Sequence, residues 1–190
     1  MKKRIQTNGI IIALAFICVL FFPKVFFRGS SCGLSENILE GIGLISVLLG
    51  QLIRVSARGY KAEYSKNSHA LIEGGPYQIV RNPMYLGILL IGLGVVFILF
   101  NWWVAIVFMV IYLWRYLPLI FTEEKKLKGM FGATYETYCS RVPRILPRPS
   151  NLIKIRPSEY LPLKRAWFKK EVHSIIAVLI VILLLLFGKR

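Results

Sequence analysis

Residues 82–114 read NPMYLGILLIGLGVVFILFNWWVAIVFMVIYLW, thirty-three positions without a charge. As one α-helix they would reach about 50 Å, too long for the roughly 30 Å hydrocarbon core of a bilayer even with tilt. The stretch therefore predicts a hairpin of two apolar helices. Asn101-Trp102-Trp103 interrupts it with a polar residue and interfacial aromatics, which puts the turn there. Asn82 stands where an N-cap belongs, and Pro83 suits the first helical position, where an N–H would go unpaired anyway.

Other apolar blocks flank this hairpin. Residues 5–23 carry no charge and lie between Lys2-Lys3-Arg4 and Lys24. A signal peptide or a retained anchor fits; the missing small-residue cleavage site and the Phe21-Phe22-Pro23 end favour the anchor. Residues 41–53 form a thirteen-residue uncharged run, about 20 Å as helix. It spans only if residues 37–40 and Arg54 sit at the interfaces; the competing reading is a buried or re-entrant helix. Gly43 and Gly50, seven apart, share a helix face and suit close packing against a neighbour. The last run, 172–188, follows Lys164, Arg165, Trp167, Phe168, Lys169 and Lys170, the composition of an interfacial helix entering a membrane.

The whole chain has 190 residues, 56% of them hydrophobic, with a mean hydropathy of +0.59 and a net charge of +16. Blocks of apolar residues separated by basic, proline-containing stretches exclude most soluble folds and point to the lipid bilayer as partner. Nucleic-acid binding is the weaker reading of the charge, because the aromatics lie mainly in or beside apolar runs. With the N-terminus inside, 20 of the 25 Lys and Arg fall on cytoplasmic segments, in keeping with the positive-inside rule. The expected fold is thus all-α: a polytopic transmembrane helix bundle of about five spans, with its large loops on the cytoplasmic side. Both large loops, 54–83 and 122–171, fall on the cytoplasmic side and can meet. Cys18, Cys32 and Cys139 show no CxxC and no His cluster nearby, so three free thiols and no metal site are expected.

The first loop contains Gly74-Gly75-Pro76, which forbids regular helix and makes a tight turn. The helix start beyond it, with Tyr77, Arg81 and Tyr85 close by, leaves backbone N–H groups for a polar ligand, or is a capped helix entry with interfacial tyrosines. The second loop opens Thr122-Glu123-Glu124. Thr122 there caps a helix whose first turn carries two favourable acids, or the two carboxylates accept hydrogen bonds from a ligand.

Taken together, Leu49-Gly50 with Arg54 and Ala57, His69-x-Leu71-Ile72, Gly75-Pro76-Tyr77, Arg81-Asn82-Pro83-Met84-Tyr85-Leu86-Gly87, Glu123-Glu124-x-x-Leu127, Phe131-Gly132, Tyr135, Tyr138 and Val142-Pro143-Arg144 resemble the isoprenylcysteine carboxyl methyltransferase family and, more loosely, the phospholipid methyltransferases. The resemblance covers about residues 44–148. It divides the chain into an N-terminal anchor and loop (1–43), a membrane methyltransferase core (44–148), and a basic interfacial segment with a C-terminal transmembrane helix (149–190).

What the resemblance implies is an integral-membrane methyltransferase using S-adenosylmethionine, enclosed by helix ends and loops, with a lipidic or prenyl-like substrate. The absence of a GxGxxG between strand and helix agrees that no soluble-type nucleotide fold is required. Carried over, the cofactor contacts fall on His69, Ala70, Leu71, Ile72, Tyr77, Asn82, Pro83, Met84, Tyr85 and Glu123, with Glu124 adjacent if the register shifts by one. Two departures stand out. Asn82 occupies the family's His position and cannot titrate near neutrality. Leu119 occupies the position of an Arg that meets the substrate carboxylate; Arg115, one turn earlier, is the candidate substitute, or else an intramembrane cation paired with Glu123 or lipid phosphate. Arg81, Asn82 and Arg115 are the candidate catalytic residues, with Arg144 a further group for orienting an anionic substrate. A sterol-reductase-like oxidoreductase using a nicotinamide cofactor and a non-enzymatic membrane scaffold are the alternatives. The methyl acceptor and the oligomeric state are left open.

Overall fold

The computed structural model describes residues 23–29, 33–65 and 71–148 and, beyond them, 163–164, 166–168, 172, 175–176 and 179–180. Most of the apolar runs 5–23 and 172–188, together with His69 and Ala70, lie outside the described residues. Three long helices make up most of what is described: α1 (Leu34–Tyr64), α2 (Pro83–Leu99) and α3 (Trp102–Arg141). A single 3-10 turn, Gly75–Gln78, precedes α2, and a helical turn, Pro23–Phe26, precedes α1. Among the described residues the one β feature is an isolated antiparallel bridge between Phe27 and Phe100.

The hairpin expected from residues 82–114 is present, with its turn at the expected place. Helix α2 stops at Leu99, Phe100 is extended, and Asn101 stands at the N-cap of α3. The Asn101 side chain does not cap. Its Nδ2 donates instead to the carbonyls of Val25 at 2.9 Å and Phe27 at 3.3 Å, while its backbone N–H donates to Phe26. Phe27 stacks on Phe100 with ring centroids 4.8 Å apart. The segment before α1 therefore closes the tip of the hairpin, satisfying backbone groups that a turn in an apolar setting would leave bare.

Helices α1 and α2 pack backbone to backbone. A Cβ on Gly43 would lie 2.7 Å from the Gly94 carbonyl oxygen, and one on Gly50 would lie 2.7 Å from that of Gly87. The four glycines form two facing pairs seven residues apart, as the spacing of Gly43 and Gly50 predicts. Between them Ser46 donates to the Leu90 carbonyl at 2.9 Å. Val47, Ile98 and Leu99 form the buried core at the far end of this seam.

Two expectations are corrected. Helix α1 has 31 residues instead of thirteen, because Arg54 and Arg58 end an uncharged run without ending a helix: Arg is a good helix former, and its stem packs while its head finds polar company. Similarly, α3 continues through residues 122–141, which the sequence reading assigns to a loop. Thr122 does not cap anything; its Oγ1 donates back to the Pro118 carbonyl at 2.7 Å, the i−4 bond of a mid-helix threonine. The helix breaks at Gly132, where φ is 50° and ψ −125°, a conformation open to glycine and closed to L side chains. Helices α1 and α3 are each long and apolar enough to cross a membrane, whereas α2, with 17 residues, is a shorter apolar helix of about 26 Å.

Candidate functional site

The start of α2, the shaft of α3 and the chain just after α3 meet at Glu124. This carboxylate is 9% exposed. Its Oε1 takes a hydrogen bond from Asn82 Nδ2 at 3.2 Å and lies 3.2 Å from Arg81 Nη2. Its Oε2 receives both Nε and Nη2 of Arg144, at 3.0 and 2.9 Å. The backbone repeats the connection, since the N–H groups of Arg81 and Asn82 donate to the carbonyls of Pro143 and Arg144. The Arg144 guanidinium also lies over the Phe121 ring, 4.5 Å from its centroid. Its hydrogen bond to Glu124 holds the Arg144 proton even more firmly than usual. Two guanidiniums and an amide compensate the charge of one buried carboxylate.

Glu123 faces elsewhere. It is exposed, and its Oε1 accepts from the Tyr85 hydroxyl at 2.9 Å. Tyr85 leans on Tyr116, Tyr116 on Tyr112, and the Tyr112 hydroxyl donates to the Tyr85 carbonyl at 2.9 Å. Arg115 is exposed, with its guanidinium 5.8 Å from the Tyr116 ring centroid. The adjacent carboxylates of the sequence thus serve different surroundings, one locked and one open.

A cavity of about 510 Å³ lies beside this network. Leu71, Ile72 and Tyr77 from the loop, Arg81, and Leu127 and Phe131 from α3 form much of its wall, with Lys61 and Ser65 from the end of α1. Gly75, at φ 58°, makes the tight turn that sets Pro76 and Tyr77 in place. Tyr77 donates to the Ala57 carbonyl at 3.4 Å and accepts, through its own carbonyl, the Tyr138 hydroxyl at 2.6 Å. Burial first, and then the negative charge of Glu123, push the Tyr77 phenol up from its ordinary value.

Of the sequence-predicted residues, Leu71, Ile72, Tyr77 and Arg81 share the cavity wall. Asn82 and Glu124 join in the charge network, and Tyr85 pairs with Glu123. Pro83 and Met84 open α2 between these two groups. Arg115 stands at the aromatic ladder outside the Glu124 network. Asn82 is an N-cap by position, yet its amide serves Glu124 and the Arg144 carbonyl and leaves the helix N–H groups alone.

Sequence reasoning did not single out Tyr135, Tyr138, Met130, Lys61 or Ser65 as wall residues. The signal for the first two was in the chain: Leu127 and Phe131 stand four apart and Tyr135 and Tyr138 three apart, helical spacings that a loop assignment for 122–171 conceals.

The family model for phospholipid methyltransferases matches residues 40–134, half of the chain. Protein-S-isoprenylcysteine O-methyltransferase B of Arabidopsis thaliana is 32% identical over 139 residues, 68% of this chain and 66% of the relative. The protein-S-isoprenylcysteine O-methyltransferase of Schizosaccharomyces pombe is 33% identical over 120 residues, 58% of this chain and 50% of the relative. A probable protein-S-isoprenylcysteine O-methyltransferase of Oryza sativa subsp. indica is 32% identical over 116 residues, 56% of this chain and 60% of the relative. The chain spans between half and about two thirds of the length of these relatives. No solved structure matches the chain significantly. The matched region runs from α1 to just past the Gly132 break, holding the helix seam, Tyr85 and both glutamates, and on that match the chain belongs to the phospholipid methyltransferase family.

Proposed function

We propose that this chain is an integral-membrane methyltransferase that draws on S-adenosylmethionine and acts on a lipidic or membrane-delivered acceptor, a carboxylate, thiol or amine. One observation carries the reading: Leu71, Ile72 and Tyr77, three positions that match the family's cofactor contacts, line a single cavity. The cavity suits such a group, being mostly apolar with a few convergent polar residues. It also contains two residues, Arg81 and Tyr135, that each hold a buried polar atom without a hydrogen-bond partner.

Leu71, Ile72, Tyr77, Tyr85 and Glu123 are the residues that would hold the cofactor, with His69, Ala70, Pro83 and Met84 beside them in sequence. When bound, S-adenosylmethionine supplies a methyl group already activated by its sulfonium. The chain's own work is alignment and exclusion of water. Glu123, exposed and already oriented by Tyr85, is suited to an ammonium group. Glu124 holds Arg81, Asn82 and Arg144 in one geometry, so these act as positioning residues. With its amide committed to that network, Asn82 is not a base.

Of Arg81, Arg115 and Arg144, Arg115 is the one outside the Glu124 network and is suited to an anionic acceptor. The relatives' names point to an isoprenylcysteine carboxylate as one candidate, and Leu119, where the family pattern has an Arg, argues for keeping thiols and amines beside it. In the membrane, α1 and α3 cross the bilayer with α2 packed on the glycine seam. Five spans, with the N-terminus and the site on the cytoplasmic side, fit the distribution of Lys and Arg.

The test is transfer. Protein in nanodiscs of native lipid, given methyl-tritiated S-adenosylmethionine, should yield labelled lipid-soluble product, and base-labile volatile label would identify a methyl ester. Unlabelled extracts across native lipid and prenylcysteine acceptors would contradict the proposal.

A further inference from the structure

We infer that the segment carrying Lys164 and Trp167 is a strap that holds the C-terminal end of α1 against the cavity, with Trp167 a positioning residue for the ligand bound there; this rests on the methyl-transfer reading above.

The register of the glycine seam leaves the end of α1 without a helix beside it. Gly43 meets Gly94 and Gly50 meets Gly87, so the two helices run antiparallel and each step forward on α1 is a step back on α2. Beyond the second pair, Arg54 comes level with Pro83, the first residue of α2. Residues 55–64 of α1 therefore overhang α2 by about 15 Å. Yet Val55, Ser56 and Ala57 are no more than 1% exposed, and Gly59 is buried. The loop before α2 covers one flank of the overhang, where Tyr77 donates to the Ala57 carbonyl and the Tyr60 ring packs on Gly75. Trp167, from beyond the family-matched residues 40–134, covers another.

Trp167 is 6% exposed, and its seat is Gly59, where any Cβ would collide with the indole. One turn further along the same face of α1, Glu63 receives Lys164 Nζ at 2.6 Å. The Trp167 N–H donates back to the Lys164 carbonyl at 2.9 Å, and Lys164 Nζ lies 5.4 Å from the indole ring, so the two residues act as one unit. The exposed ion pair adds little to stability and sets the register; the buried indole supplies the grip. Lys61 and Ser65, which line the cavity, each stand two positions on from these contacts, a rotation of about 200° around the helix. The strap thus bears on the back of a helix whose front is cavity wall. Without the grip the overhang spends less time in the wall position, and affinity falls by the fraction of molecules no longer ready to bind, with no ligand contact removed.

Equilibrium binding of labelled S-adenosylhomocysteine to detergent-purified protein, at a temperature where every variant is folded, tests this. Trp167→Ala should weaken binding about three- to ten-fold, and Trp167→Phe, which keeps a ring on Gly59, should lose less. Gly59→Ala disturbs the same contact from the α1 side; it should weaken binding to a similar degree and add little when combined with Trp167→Ala. Its effect on the ligand-free melting temperature should change sign: a fall with Trp167 in place, and no fall in Trp167→Ala protein, where alanine is simply the better helix former. Should Trp167→Ala not fold, Gly59→Ala and Trp167→Phe carry the same binding test. Lower melting temperatures with unchanged affinity in the folded variants would make the contact a stabiliser only and overturn the inference while leaving methyl transfer standing, as would fully additive losses in the double variant. An unaltered protein that binds no S-adenosylhomocysteine would overturn both.

Discussion

Nε and Nη2 of Arg144 converge on Oε2 of Glu124, at 3.0 and 2.9 Å, and so tie the chain just after α3 to the α3 shaft twenty residues earlier. The opposite oxygen of the same carboxylate holds Arg81 and Asn82 at the entrance to α2. One buried acid thereby fixes the two ends of the site relative to each other.

Glu124→Gln should accordingly be a stability variant. It leaves the buried Arg81 guanidinium without its counter-charge, at an expected cost of about 2–4 kcal/mol. Thermal unfolding in detergent reads this directly. Glu123→Gln, at an exposed position one residue away, should stay within about 0.5 kcal/mol of the unaltered protein. Equal melting temperatures for the two variants would contradict the division of roles.

The glycine seam makes a second prediction. A Cβ on Gly50 would press on the Gly87 carbonyl and the Ile91 backbone N–H, so Gly50→Ala should cost about 1–3 kcal/mol through separation of α1 from α2. Gly41→Ala is the control, because nothing lies within 4 Å of its added Cβ. On a helix it should be neutral or mildly stabilising.

At Gly132 the constraint is conformational, since the space around it is open while φ is 50°. Gly132→Ala should cost about 1–3 kcal/mol if the break is kept. If α3 straightens instead, Tyr135 and Tyr138 leave the cavity wall, and Tyr138 loses its bond to the Tyr77 carbonyl. A kept break then shows as a lower melting temperature and a straightened helix as weaker ligand binding, and Gly129→Ala, where the added Cβ also meets nothing and the backbone is helical, should show neither.

Alkaline pH probes Tyr77. Its phenol is pushed up by burial and then by Glu123, so the folded protein holds that proton more tightly than the unfolded chain. The stability this lends is complete below pH about 10, the ordinary phenol value, and is lost as the pH rises from there toward the folded value. Melting temperatures at pH 8 and pH 10.5 should therefore differ less for Tyr77→Phe than for the unaltered protein.

The hairpin turn at Asn101 and the pairing face of Gly43 and Gly50 were legible because both are local: a polar break in an apolar run, and a seven-residue repeat of small residues. The ends of α1 and α3 were not. Charge was read as a boundary at Arg54 and at Glu123, and a helix tolerates either. The family resemblance carried the candidate site with Glu123 and with Glu124 as the adjacent candidate, and what separates their surroundings is tertiary: Glu124 is engaged by side chains 20 and more than 40 positions away. Residues such as Tyr135 were in view as part of a pattern, and became wall residues only once α3 was seen to continue past Thr122.

The most direct measurement is saturation binding of radiolabelled S-adenosylmethionine to folded, detergent-purified protein, alongside Glu123→Gln and Tyr85→Phe. The account predicts saturable binding that weakens at least about ten-fold in Glu123→Gln, with a smaller loss in Tyr85→Phe and no drop in melting temperature for Glu123→Gln. No saturable binding, or variants that bind as well as the unaltered protein, would contradict it.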